Sequence, residues 1–243
     1  MPDIELSEKV IVALDVATFD EARKLMDQLD ENATWFKVGN QLFTNVGPDI
    51  IKEIKRRGKK LFLDLKFHDI PNTVARASEA ATELGVDMFN IHVSGGMKMM
   101  QDAAEAVKSK ASELGIKKPI VLGVTILTSI DASTLQEVFG SGKSLEDQIV
   151  YMAKLAQKAG LDGVVASPQE IRPIREACGD DFVILTPGIR PKWASVDDQK
   201  RIMTPAKAVQ AGTNYMVIGR PIRQAPEPAN ALERILQELA GSL

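Results

Sequence analysis

The chain has 243 residues, of which 44% are hydrophobic and 26% charged, with a formal net charge of −3. That is enough apolar material for a sizeable core, without the basic excess that meets nucleic acid or an anionic membrane. A lone cysteine excludes an internal disulfide, and with two histidines it supplies too few ligands for a zinc site of the usual His/Cys type, leaving only carboxylate-held magnesium open.

Runs rich in Val, Ile, Leu and Phe recur along the chain at residues 10–16, 35–38, 61–66, 88–93, 120–127, 163–166, 182–186 and 215–218. Between them, residues 19–29, 49–57, 73–84, 97–114, 145–159, 168–177 and 205–211 carry helical spacing, and 229–239 close the chain. Strand-then-helix alternation predicts a parallel sheet covered by helices. Eight such units predict an α/β fold with one (β/α)8 TIM barrel as a single domain over residues 1–243, because an open doubly wound sheet needs fewer strands. Neither a secretory signal nor an apolar run of about 18 residues is visible, so a reducing, cytoplasmic location is expected.

Several strand ends are polar, and in a barrel of parallel strands that end is where reactive groups gather. The first run, VIVALDV, puts Asp15 after an apolar stretch. Asp15 could cap the next helix, but Thr18 can do that instead, leaving Asp15 for a ligand. In the second run, WFKVG, Lys37 either reaches solvent along its own stem or needs a carboxylate beside it inside the barrel.

The stretch LFLDLKFHDIPNT, residues 61–73, organises the rest. Side chains alternate along a strand, so Leu61, Leu63 and Leu65 face one way while Phe62, Asp64 and Lys66 face the other. Two opposite charges on one face suit either a solvated edge strand or a reaction centre. Their place at the strand end, followed by Asp69 and by a Pro71-Asn72-Thr73 turn, favours the reaction centre. Asp64 on the adjacent strand could supply the carboxylate that Lys37 needs.

His92 and the following Ser94-Gly95-Gly96 fit a strand end and a tight turn, and neither His68 nor His92 is assigned chemistry. In VTILTS the hydroxyls of Thr125, Thr128 and Ser129 are donors for a ligand or caps for a helix. Cys178 has no evident base and reads as inert. After the seventh run comes TPGIRPKWASVDDQKRIMTP, a polar stretch of a length that suits either a functional lid or a disordered segment, with Arg190, Lys192, Gln199, Lys200 and Arg201 as donors. The eighth run ends in VIGRPI, where Gly219 allows close backbone approach. Arg220 there offers a guanidinium at the place where barrels often hold a phosphate.

Taken in order, ALD at Asp15, KVG at Lys37, DLKFHDIPNT, VTILTS, TPGIRP and IGRPI resemble the orotidine 5′-monophosphate decarboxylase family over almost the whole chain. The resemblance implies cofactor-independent loss of carbon dioxide from orotidine monophosphate to give uridine monophosphate, the last step of de novo synthesis. It implies a charge network of Lys37, Asp64, Lys66 and Asp69, in which Lys66 stabilises charge and donates a proton to C6. Asp69 and Thr73 would cross a homodimer interface into the neighbouring site. It also puts Asp15 on the ribose, Thr128 on the pyrimidine, Arg190 and Gln199 in the lid, and Gly219 with Arg220 at the phosphate, with no metal. The sequence departs from many relatives at Asn40, and no motif fixes the lid register around residues 192–196. Two rivals stand beside this reading: a magnesium-dependent decarboxylase or aldolase of keto-sugar phosphates with a similar D-x-K-x-x-D strand end, and a non-catalytic nucleotide-binding barrel.

Overall fold

The computed structural model describes residues 4–194 and 203–241. The eight apolar runs form β1 (Val10–Ala13), β2 (Trp35–Gly39), β3 (Lys60–Phe67), β4 (Met88–His92), β5 (Ile120–Val124), β6 (Gly163–Val165), β7 (Val183–Thr186) and β8 (Tyr215–Ile218). Each strand pairs in parallel with its sequence neighbours, and β8 closes onto β1 through Ile11 opposite Val217, giving the expected (β/α)8 barrel.

The helices are α1 (Phe19–Leu29), α2 (Asn40–Val46), α3 (Asp49–Arg56), α4 (Pro71–Glu83), α5 (Met97–Leu114), α6 (Ala132–Phe139), α7 (Leu145–Lys158), α8 (Ile171–Cys178), α9 (Pro205–Ala211), α10 (Arg220–Arg223) and α11 (Pro228–Ala240). In α1 the buried Ala22, Leu25, Met26 and Leu29 make one apolar stripe. Its start is a capping box in which Thr18 Oγ1 accepts from Glu21 N–H and Glu21 accepts from Thr18 N–H. Thr18 therefore performs the capping, and Asp15 is released from it.

Strand parity divides the apolar side chains into two cores. Ile11, Trp35, Phe62, Met88, Leu122, Leu185 and Val217 fill the barrel interior. The alternate residues Val12, Phe36, Leu63, Phe89, Val121, Val164, Ile184 and Met216 face outward beneath the helices.

Three differences from the sequence reading bear on the site. First, β1 stops at Ala13 and β5 at Val124, so Asp15 and the segment from Thr125 to Ser129 leave the sheet and turn over the barrel mouth. Second, β3 opposes four steps of its own chain, from Leu63 to Phe67, with only two on β4, from Phe89 to Ile91, which makes a bulge. Third, the short α2, α6 and α10 occur in stretches expected to be connections. No described helix is long and apolar enough to cross a membrane.

Candidate active site

A cavity of about 340 Å³ opens at the C-terminal ends of the strands. Phe62, Val124, Val165, Leu185 and Val217 line its apolar part. Asp15, Lys37, Asp64 and Lys66 line one side of the mouth, and Thr128, Ser129, Arg190, Gly219 and Arg220 line the other. These polar residues come from the ends of six different strands, or the segments just after them, which therefore converge on one space. Arg220 also borders an outer groove of about 490 Å³ with Trp193, Gln224 and Arg234.

The four charges of the first side alternate in sign. Lys37 Nζ donates to Asp15 Oδ1 at 2.9 Å and lies 3.4 Å from Asp64 Oδ2, while Lys66 Nζ donates to Asp64 Oδ1 at 2.6 Å. Lys37 is buried, and its side chain turns over Gly39, where an added Cβ would come within 2.9 Å of Nζ. Burial opposes the Lys37 charge, but Asp64 and then Asp15 outweigh it and raise the pKa above the ordinary lysine value. Burial likewise opposes the Asp64 carboxylate, yet the Lys37 and Lys66 charges, with donors from Lys66 and Asn90, hold its pKa below the usual range.

Lys66 sits on the β3 bulge with φ of 54°, and among the described residues it alone has a positive φ without being glycine. That left-handed conformation is unfavourable for a residue with a Cβ and marks local strain. Its N–H leaves the strand ladder and donates to Asn90 Oδ1 at 2.8 Å. Asn90 Nδ2 in turn donates to Asp64 Oδ1 at 2.7 Å. Asn90 was not picked out by the sequence reasoning. The available signal was an amide at the inward parity of the fourth run, two residues beyond Met88.

The remaining expected residues divide. Thr128 and Ser129 face the cavity, whereas the Thr125 hydroxyl turns to the Val165 carbonyl at 3.2 Å. Arg190 is buried, and its Nη1 donates to the Ile189 carbonyl at 3.0 Å. At Gly219 a Cβ would make only ordinary contacts, 3.4 Å from Ala13 Cβ and 3.5 Å from Asp15 Oδ2, so the protein's own packing does not require glycine there. Asp69 and Thr73 are exposed and stand outside the cavity of their own chain, with Asp69 Oδ1 accepting from Ile70 N–H at 2.7 Å. Gln199, Lys200 and Arg201 lie outside the described residues. The rings of His68 and His92 pack 5.2 Å apart, and burial, with the nearby His68 and Lys66 charges, pushes His92 down to about 4.

Fold and mouth together define a TIM barrel with a charged cavity at the C-terminal ends of its strands, where enzymes of this fold place their active sites. The family model described as "Orotidine 5'-phosphate decarboxylase / HUMPS family" matches residues 8–235. Among curated relatives, the orotidine 5'-phosphate decarboxylase of Heliobacterium modesticaldum is 50% identical over 240 residues, covering 99% of both chains. That of Geobacter sulfurreducens is 53% identical over 232 residues, covering 96% of each. The crystal structure of orotidine 5'-phosphate decarboxylase from Lactobacillus acidophilus superposes with a TM-score of 0.85 at 37% identity, covering 96% of this chain and 99% of that one. The chain belongs to the orotidine 5'-phosphate decarboxylase / HUMPS family.

Proposed function

We propose that the chain decarboxylates orotidine 5′-monophosphate to uridine 5′-monophosphate and carbon dioxide in the cytoplasm, as one catalytic domain and without a cofactor. The observation that carries this reading is the alternating chain Asp15–Lys37–Asp64–Lys66 on one side of the cavity. Breaking the bond between C6 and the carboxylate leaves an electron pair in the ring plane, where the π system cannot delocalise it. A preorganised ammonium at Lys66 stabilises that pair and then protonates C6, while the lysine recovers its proton from water. The departing carboxylate sits near Asp64. Asp15 and Lys37 take the ribose, Thr128 the pyrimidine, and Gly219, Arg220, Arg190 and Gln199 the phosphate end and lid.

Asp69 and Thr73 complete a second copy's site in a homodimer. Their exposure beside Ile70, which is 66% exposed, supports this. The phosphate supplies binding energy that holds the strained, charged mouth closed, so its removal lowers kcat as well as affinity.

The magnesium-dependent rival fits less well, because the ammonium of Lys37 already lies between the two carboxylates that a cation would bridge. The non-catalytic rival has to account for an alternating charge chain around a neutral base. The test is absorbance loss on orotidine monophosphate in the presence of a strong chelator. Sustained turnover is expected, and tight uridine monophosphate binding without turnover would sink the proposal. Lys66→Ala is expected to retain the fold and lose at least about 10³-fold in kcat. The nucleoside orotidine is expected to turn over more slowly than the nucleotide even at saturation, and equal kcat values contradict the phosphate argument.

A further inference from the structure

One buried polar side chain beneath the mouth is bonded to the charge chain without carrying a charge itself. Asn90 is 1% exposed, on the interior face of β4. Its two bonds both cross to β3, from Lys66 N–H at 2.8 Å and to Asp64 Oδ1 at 2.7 Å. Chemistry fixes the orientation of the amide: a backbone N–H needs an oxygen, and a carboxylate needs a donor. A carboxylate or a hydrocarbon at position 90 could not serve both.

We infer that Asn90 is a positioning residue for the decarboxylation, holding Lys66 in its left-handed conformation and aiming the Asp64 carboxylate so that the two charges meet inside the cavity. The inference rests on the role given to Lys66 above. At the bulge the Lys66 N–H has lost its strand partner, and Asn90 Oδ1 replaces the missing carbonyl. Without it, Lys66 relaxes to negative φ and its side chain leaves the present direction. Nδ2 donates to the same Asp64 oxygen that receives the Lys66 ammonium at 2.6 Å, while Lys37 approaches the other oxygen, so contacts at both oxygens oppose rotation of the carboxylate. The other charged or titratable groups facing Asp64 are Lys37 from β2 with Asp15 behind it, Lys66 on β3, and His92 from β4 with His68 stacked on it. Asn90 is the neutral member of this set and one of the donors that keep Asp64 ionised.

The experiment compares full-length Asn90→Ala and Asn90→Leu with the wild type. Leucine fills the space but makes neither bond, so a packing role and a positioning role give different results. Both variants are expected to lose about 10²-fold in kcat, since a displacement near 1 Å in a reacting group has that size of effect. KM and uridine monophosphate affinity stay within about threefold. The acid limb of kcat moves to higher pH, because Asp64 has lost a donor to its ionised form. A crystal structure of the leucine variant shows Lys66 out of the left-handed region. The inference is overturned if either variant keeps kcat within about threefold of wild type, if leucine restores what alanine loses, or if the limb and the Lys66 backbone stay in place. A wild type inert on orotidine monophosphate defeats the substrate reading instead, and the crystal structure then still judges Asn90.

Discussion

Replacing Lys37 with methionine removes the ammonium while keeping the length of the side chain. The Lys37, Asp64 and Asp15 side chains are 8%, 15% and 49% exposed. Asp15 regains water when the lysine goes, but Asp64 cannot. At 3.4 Å and an effective dielectric constant of about 20, the Lys37–Asp64 attraction is about 5 kcal/mol. Removing Lys37 also relieves its own desolvation, which brings the net loss to about 3 kcal/mol, the lower end of the range for breaking a buried pair. For a chain of this length that corresponds to a Tm lower by about 6–12 °C. The sign with pH follows from Asp64, whose depressed pKa contributes stability present above the unfolded value and lost as pH falls through the folded one. In Lys37→Met that pKa rises, so the gap to wild type is widest near neutral pH and narrows toward acid. Urea unfolding of Lys37→Met, Asp64→Asn and the double variant reads this directly, and the double variant is expected to recover most of the loss. A single variant within about 0.5 kcal/mol of wild type, or a double variant no better than the single, refutes the reasoning.

Three other outcomes follow, the first two from geometry away from the mouth. Gly163→Ala would put a Cβ 2.1 Å from the Val183 carbonyl oxygen and 2.5 Å from Val183 Cβ, neither of them the end of a flexible side chain that could swing away; denaturant unfolding is expected to report a loss of about 3 kcal/mol. Arg175 donates to the Gly179, Phe182 and Gly212 carbonyls and to Asn214 Oδ1, joining the N-terminal ends of β7 and β8. Arg175→Ala should lower stability by about 2 kcal/mol, with kcat and KM unchanged because the cavity is at the other end. An altered KM in a folded variant would count against that placement. The folded pKa of His92 lies below its unfolded value, so wild-type stability falls as pH drops from 6.5 to about 4 and levels off below. For this half-buried ring the discounted size is about 1–2 kcal/mol, and His92→Asn should remove that part of the slope in unfolding measured across the window.

The barrel was readable because its strands bury both faces and appear as apolar runs separated by amphipathic stretches. The limits of reading lay where local pattern carries no information about pairing. Only Leu42 is buried in α2 and only Leu135 in α6, so neither presents a periodic stripe to recognise. In β3 simple alternation correctly put Asp64 and Lys66 on one side, but the bulge and the φ of Lys66 depend on where β4 pairs, which no spacing within residues 61–66 records. Asn90 was passed over for the same reason, since an amide within an apolar run acquires meaning only through the neighbouring strand. Asp15, Lys37, Thr128 and Arg220 were legible as polar residues at strand ends, and the fold brings them to one cavity. Asp69 and Thr73 are equally conspicuous in sequence, yet a single chain leaves them outside it.

The mouth is divided around its circumference. Carboxylates and ammonium groups come from the first three strand ends, with an amide from the fourth, while hydroxyls and guanidinium groups come from the fifth, seventh and eighth. A closed ring of parallel strands thus presents two arcs joined edge to edge, one interlocked by short ionic contacts, the other built of loops. Loops on the second arc can be exchanged without disturbing the contacts of the first, so specificity for the far end of a ligand can drift or be redesigned while the arc with the charged cluster stays as it is.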